Sequence, residues 1–140
     1  MQLLVEKVTP EAKLPVRAHA TDAGLDLYAL EDSVIPSKEW RLIRTGIKIA
    51  LAANTVALVW DKSGLAKSGL HTLAGVIDEG YRGEILVNIL NLNLEDYRVV
   101  TGQKIAQLLI QPILYPEIVE TKLDDLTERG ANGFGSTGLK

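Results

Sequence analysis

Apolar residues in this chain recur at every second position in short runs, and that spacing constrains the fold more than any other feature. From Arg41 to Leu51, Ile43, Thr45, Ile47, Ile49 and Leu51 alternate with Arg44, Gly46, Lys48 and Ala50, the pattern of one half-buried strand. Residues 2–8 form a first strand closed by Thr9-Pro10, and Pro15 keeps the following connection extended. Thr55 to Trp60 is a strand rich in β-branched residues, with Trp60 expected in the core. Ile85 to Leu92 is apolar on both faces, Ile85, Val87 and Ile89 against Leu86, Leu90 and Leu92. One face suffices for an internal core, so the other is expected to meet another subunit. Lys104 to Leu114 is similar, with Gln107 and Gln111 as polar exceptions that need partners. The one helical segment opens at Ser63 and runs through Leu65-Ala66-Lys67 before Gly69 stops it. Many short strands between turn signals indicate an all-β sandwich or barrel.

A chain of 140 residues is long enough to bury a core as one domain. With no cysteines, disulfides, thiolate metal sites and a cysteine nucleophile are excluded. The N-terminal residues carry charge by Glu6 and have no long apolar run, so neither a signal peptide nor a membrane span is expected, and the protein is expected in the cytoplasm. A net charge of -3 with scattered Lys and Arg lacks the footprint of a nucleic-acid binder. A small anionic ligand needs only a few local cations and backbone N–H groups.

Four segments carry chemistry. Between Gly75 and Glu84, an Asp, an aromatic and Gly75, Gly80 and Gly83 fall together after the stiff pair Val76-Ile77. This is either an ordinary hairpin with a solvated Asp78 or a tight turn that places Asp78 as a general base. Thr21 to Ala29 carries Asp22 and Asp26 across Gly24, too few carboxylates for a complete metal cage. Mg²⁺ often takes only one or two carboxylates besides water and substrate phosphates, and the alternative is a turn with solvated Asp residues. Asp61-Lys62-Ser63-Gly64 sets a cation, a hydroxyl and a glycine at a helix start, either a phosphate cradle or a plain cap. The tail from Arg129 to Lys140 surrounds the chain's one Phe, Phe134, with glycines. It is either a disordered end or a lid in which Phe134 stacks on a flat ring. His19 and His71 are too far apart to suggest a metal pair and read as structural or surface residues.

Taken in order, Ala23 to Leu27, Ser63 to Ala66, Gly75 to Glu84, Gly102 to Leu108, and Arg129 with Gly133 to Gly138 resemble the five motifs of the trimeric dUTP pyrophosphatases. The resemblance implies a homotrimer of jelly-roll-like β-sandwich subunits. Residues 1–128 would be the β domain with the substrate site, and 129–140 a flexible lid of the same domain. It implies hydrolysis of dUTP to dUMP and pyrophosphate with Mg²⁺, which clears dUTP and supplies dUMP. Asp78 would activate the water that attacks the α-phosphorus. Tyr81 would pack on the deoxyribose, and the backbone of Gly75, Val76 and Ile77 would pair with uracil. Lys62, Ser63, Gly64 and Gln107 would hold phosphates, and Asp26 would steady the metal through water. Arg129, Phe134, Gly135, Ser136 and Thr137 would form the lid. Each site would draw on all three chains.

The sequence departs from the common pattern of that family in three places. Lys62 stands where Arg is usual, replacing a bidentate fork with a point charge. Gly80 replaces a frequent Asp, and the segment from Ser68 to Ala74 lacks an Asn used for uracil, with Thr72 nearby. The rivals are a dCTP deaminase of the same superfamily and a non-catalytic nucleotide sensor. Asp78, Tyr81 and the Gly-Phe-Gly-Ser-Thr-Gly tail argue against both.

Overall fold

The computed structural model describes residues 2–123, 127 and 130, in which eleven strands and one short helix follow one another. They are β1 Leu4–Lys7, β2 Leu25–Tyr28, β3 Ser33–Ile35, β4 Trp40–Arg44, β5 Ile47–Ala50, β6 Thr55–Trp60, α1 Ser63–Lys67, β7 Leu70–Leu73, β8 Val76–Ile77, β9 Leu86–Asn91, β10 Tyr97–Val99 and β11 Lys104–Pro112. Every strand pairing is antiparallel. Two larger sheets run β2-β11-β6-β8 and β4-β9-β7, and two pairs join β1 to β5 and β3 to β10. The result is an all-β, jelly-roll-like sandwich. Among the described residues, no helix is long and apolar enough to cross a membrane.

The alternation read in the sequence is what makes the core. Val87 and Ile89 of β9, with Ile85 just before it, point inward and are fully buried against Leu27, Ile35, Ile43, Ile47, Ile105 and Leu108. Each such side chain contributes roughly 1.5–3 kcal/mol. In β11 the pairing with β2 shifts between Lys104 and Ala106. That irregularity lets two consecutive residues, Ile105 and Ala106, both turn inward. Beyond it, Gln107 lies on the opposite face from Leu108.

The run from Arg41 to Leu51 is two strands rather than one. β4 pairs with β9 and β5 pairs with β1, so the chain changes sheets at Thr45-Gly46. Gly46 has φ +70°, and a Cβ there would stand 2.8 Å from Ala12 Cβ and 3.0 Å from Leu30 Cδ1. Alternation continued through the corner because both strands bury the same side, so periodicity alone showed no break. Trp60 is not core: it is 57% exposed at the end of β6. The helix opens at Ser63 as expected, and Lys62 takes the N-cap place with no side-chain cap bond, which sets aside the plain-cap alternative. Gly69, with φ +78°, ends the helix as expected. The outward face of β4 and β9 carries exposed Trp40, Leu42 and Leu86, the second apolar face that the sequence anticipated.

Gly46→Ala adds a Cβ in a left-handed conformation and into the Ala12–Leu30 contact. It should cost about 2–3 kcal/mol, measured as a lower urea midpoint. An unchanged midpoint would show that the corner tolerates a side chain.

Candidate active site

β8 is a two-residue strand at the end of its sheet. It pairs with β6 through Ala57↔Ile77 and Leu58↔Val76, and no strand pairs with its other edge among the described residues. The chain enters β8 through Ala74 and Gly75, both at positive φ, 63° and 122°. A Cβ on Gly75 would stand 2.8 Å from Val59 Cβ and 2.9 Å from Val59 O, and Val59 N donates to Gly75 O at 2.8 Å. Only glycine brings the strand this close to β6. Backbone groups alternate in direction along a strand, so Val76 presents its N–H and C=O to the open edge. Ile77 is buried, Val76 is exposed, and Asp78 stands exposed where the strand ends.

The turn after Asp78 is fastened at several points. Tyr81 N donates to Asp78 O at 3.0 Å, and Asn54 N donates to Glu79 Oε2 at 2.9 Å. Tyr81 Oη donates to Glu84 O at 3.1 Å, and a Cβ on Gly83 would overlap the Tyr81 phenol. Gly80 faces open space, so nothing steric requires glycine there. Val59, Gly75, Ile77, Asp78, Tyr81, Glu84 and Leu86 line a cleft of about 200 Å³. Its far wall is clamped to the corner between β4 and β5. Arg44 Nε and Nη2 donate to the Glu84 carboxylate at 3.1–3.2 Å, and Gly46 N donates to Glu84 Oε1 at 2.8 Å. Thr45 Oγ1 donates to Ile85 O at 2.6 Å, and Ile85 N donates to Ile47 O at 2.9 Å. Reading the sequence missed the Arg44–Glu84 clamp, since no local pattern links residues 40 positions apart.

Lys62, Ser63, Gly64, Gln107 and Asp26 gather elsewhere, around the junction of β6, α1, β2 and β11. Asp26 is the sole buried charged residue among those described. Lys62 Nζ donates to its Oδ1 at 2.6 Å, and Lys104 Nζ lies 2.6 Å from its Oδ2 as an ion contact. Burial alone would raise the Asp26 carboxyl above its ordinary value, but the Lys104 and Lys62 ammoniums outweigh burial and hold it lower. The same pairing pushes the Lys104 ammonium upward. Gln107 Nε2 donates to Asp61 O at 2.8 Å, which gives this half-buried glutamine the partner it needs. A Cβ on Gly24 would overlap the Gln107 carboxamide, so the β2 approach closes directly over it. Gln111, in contrast, is exposed.

The chain therefore brings Gly75, Val76, Ile77, Asp78 and Tyr81 into one cleft, and none of the second group lines it. Arg129, Phe134, Gly135, Ser136 and Thr137 lie outside the described residues. Among the described residues no three His, Asp or Glu side chains converge as a metal site. Asp26 has an ammonium 2.6 Å from each oxygen and keeps lone pairs that can accept from water. It fits an anchor for Lys62 and Lys104. His71, expected as a structural or surface residue, is exposed and pairs with Asp61, its Nδ1 2.7 Å from Oδ2.

A family model described as dUTPase matches residues 10–138. The deoxyuridine 5'-triphosphate nucleotidohydrolase of Clostridium kluyveri is 51% identical over 144 residues, covering 99% of each chain. A mutant dUTPase of Staphylococcus bacteriophage 80alpha, solved with dUpNHpp, superposes with a TM-score of 0.93 at 30% identity, covering 99% of both chains. A mutant dUTPase from phage phi11 of S. aureus superposes with a TM-score of 0.84 at 27% identity, covering 89% of this chain and 99% of that one. Its structure is described as revealing the coordination of a structural Mg(II) ion.

A folded-state carboxyl held below its ordinary value of 3.8 adds stability above that pH and loses it as the pH falls through the folded value. Lys104→Met removes one of the two cations that hold Asp26 down. The acid-unfolding midpoint, followed by circular dichroism, should move to higher pH, with a loss of about 1 kcal/mol at neutral pH. An unmoved midpoint would show that Lys62 alone holds Asp26.

Proposed function

Because the chain belongs to the dUTPase family and is a dUTP-hydrolysing enzyme, we propose that its chemistry is carried by the cleft at the open edge of β8 and ends at Asp78. The observation that carries this reading is the juxtaposition of an unpaired strand edge, a glycine-enforced approach and a carboxylate at the strand's end. Uracil offers a donor at N3 flanked by two carbonyl acceptors, which suits the outward N–H and C=O of Val76. Cytosine reverses part of that pattern and would leave a buried polar group unpaired, a strong basis for rejection. Thymine's methyl group would meet the strand edge. Tyr81, held upright by Glu84 O and backed by Gly83, packs on the deoxyribose and leaves no room for a 2′-hydroxyl.

Asp78 accepts a proton from a water as that water's oxygen bonds to the α-phosphorus. The bond from the α-phosphorus to the bridging oxygen breaks opposite, so dUMP forms and pyrophosphate leaves with the electron pair. Lys62, Ser63 and Gly64 grip the phosphate chain. Gln107 adds its second amide N–H, the first being given to Asp61 O. Mg²⁺, when bound with the nucleotide, would supply neutralisation of the phosphate charge, and Asp26 would steady it through water. Arg129, Phe134, Gly135, Ser136 and Thr137 close over base and γ-phosphate.

The phosphate group and the Asp78 cleft are separate within one chain, so a complete site takes the first from one copy and the second from another. The exposed apolar face of Trp40, Leu42 and Leu86 is the natural seam for such copies, and we place it in a homotrimer.

With Mg²⁺ and equal amounts of dUTP, dTTP, dCTP and UTP, pyrophosphate should appear from dUTP alone. Ammonia from dCTP would identify a deaminase instead. Asp78→Asn should keep nucleotide binding and lower turnover roughly 10²- to 10⁴-fold. Turnover near wild type would remove Asp78 from the role of base. Truncation after Glu128 should leave the β body folded but slow hydrolysis of dUTP at least tenfold by loss of the lid. Full activity of the truncated chain would show that the tail plays no part.

A further inference from the structure

α1 has five residues, none of them buried, and no side-chain cap bond at its start. Such a helix, with Leu65 as its one contact to the core and no side-chain cap, has little of its own to set where Lys62, Ser63 and Gly64 stand. Lys62 is tied to Asp26 through its side chain, and the residue before it fastens the backbone. Asp61 sits between β6 and α1 and is held on both sides. Its carboxylate accepts from Thr72 N at 2.5 Å and lies 2.7 Å from His71 Nδ1, both on β7. Its carbonyl accepts from Gln107 Nε2 on β11 at 2.8 Å. The side chain is 28% exposed, so these contacts are partly shielded from water. Burial would raise this carboxyl, but the Thr72 N–H and His71 outweigh burial and hold it below its usual range, in the charged form that accepts both contacts. β7 is also the strand that leads, through Ala74 and Gly75, into the base-reading edge.

We propose that Asp61 is a positioning residue for the triphosphate: it pins the start of α1 to β7 and β11 so that Lys62, Ser63 and Gly64 meet the β- and γ-phosphates in register with the α-phosphorus. The proposal rests on the assignment of those three residues to the phosphate chain. Asp61 touches no part of the substrate. It acts by alignment, and misplacement of a phosphate grip by about 1 Å can cost roughly 10²-fold in rate. Asp61 departs from no local rule of sequence, and its role is visible only once β7 and β11 are folded against it.

The test compares the full-length enzyme with Asp61→Ala and Asp61→Asn, reading kcat and KM for dUTP, inhibition by dUMP and thermal midpoint. Asp61→Ala should lower kcat/KM for dUTP roughly 10- to 100-fold. Inhibition by dUMP, which lacks the β- and γ-phosphates, should change less than about twofold. Asp61→Asn retains an oxygen acceptor for Thr72 N and should recover most of the loss. If Asp61→Ala does not fold, Asp61→Ser, too short to meet both β7 donors, should give the same split. Unchanged kcat/KM in the alanine or serine variant overturns the proposal. So does an equal loss for dUTP and dUMP with a lowered thermal midpoint, which marks a purely structural residue, and so does an asparagine variant no better than alanine. Wild-type enzyme and Asp78→Asn run in the same assay separate the two readings. A wild type inert toward dUTP overturns the function, whereas an active wild type with an equally active Asp61→Ala overturns only the role of Asp61.

Discussion

The corner at Thr45-Gly46 is the constraint on which the rest of the structure depends. There the chain leaves the β4-β9-β7 sheet and joins β1, a change of direction that needs a residue at φ +70° with no Cβ. The backbone groups released at the corner do not go unpaired. Gly46 N takes Glu84 Oε1, and Ile47 O takes Ile85 N. Arg44 adds a forked pair to the same carboxylate. A corner that would otherwise leave buried polar groups unpaired becomes the fastening for the far wall of the Asp78 cleft. Fold closure and site rigidity are thus one set of hydrogen bonds.

The two polar centres of the chain solve different electrostatic problems. At Asp78 the carboxylate stays exposed, near a cleft whose walls are held by other residues, and is available to a proton. At Asp26 the carboxylate is buried and would be costly alone, yet two ammoniums meet it. That pairing keeps Lys62 and Lys104 gathered at one carboxylate. The two centres stand apart in one chain, since none of the residues around Asp26 lines the Asp78 cleft.

Some of this was legible in the sequence and some was not. β6 was readable residue for residue, because Thr55 to Trp60 is a run of strand formers ended by Asp61 and Lys62. The side of Ile85 to Leu92 that faces the core followed from period two alone. Trp60 was misjudged because strand propensity says nothing about where a strand leaves the sheet. The partners of Gln107 and His71 could not be read at all, since both meet Asp61 across pairings that no local pattern encodes.

By itself the sequence determined the all-β class, the one short helix, and the order of the segments that carry carboxylate, hydroxyl and cation. These depend on residues within a few positions of each other, whose spacing decides which face they share. Only the tertiary structure decided that one apparent strand is two, that Glu84 closes on Arg44, and that Asp26 holds two lysines while Asp61 ties β7 to β11. Those outcomes depend on antiparallel pairings that bring together residues distant from one another along the chain. They follow from the chain's closure around its core.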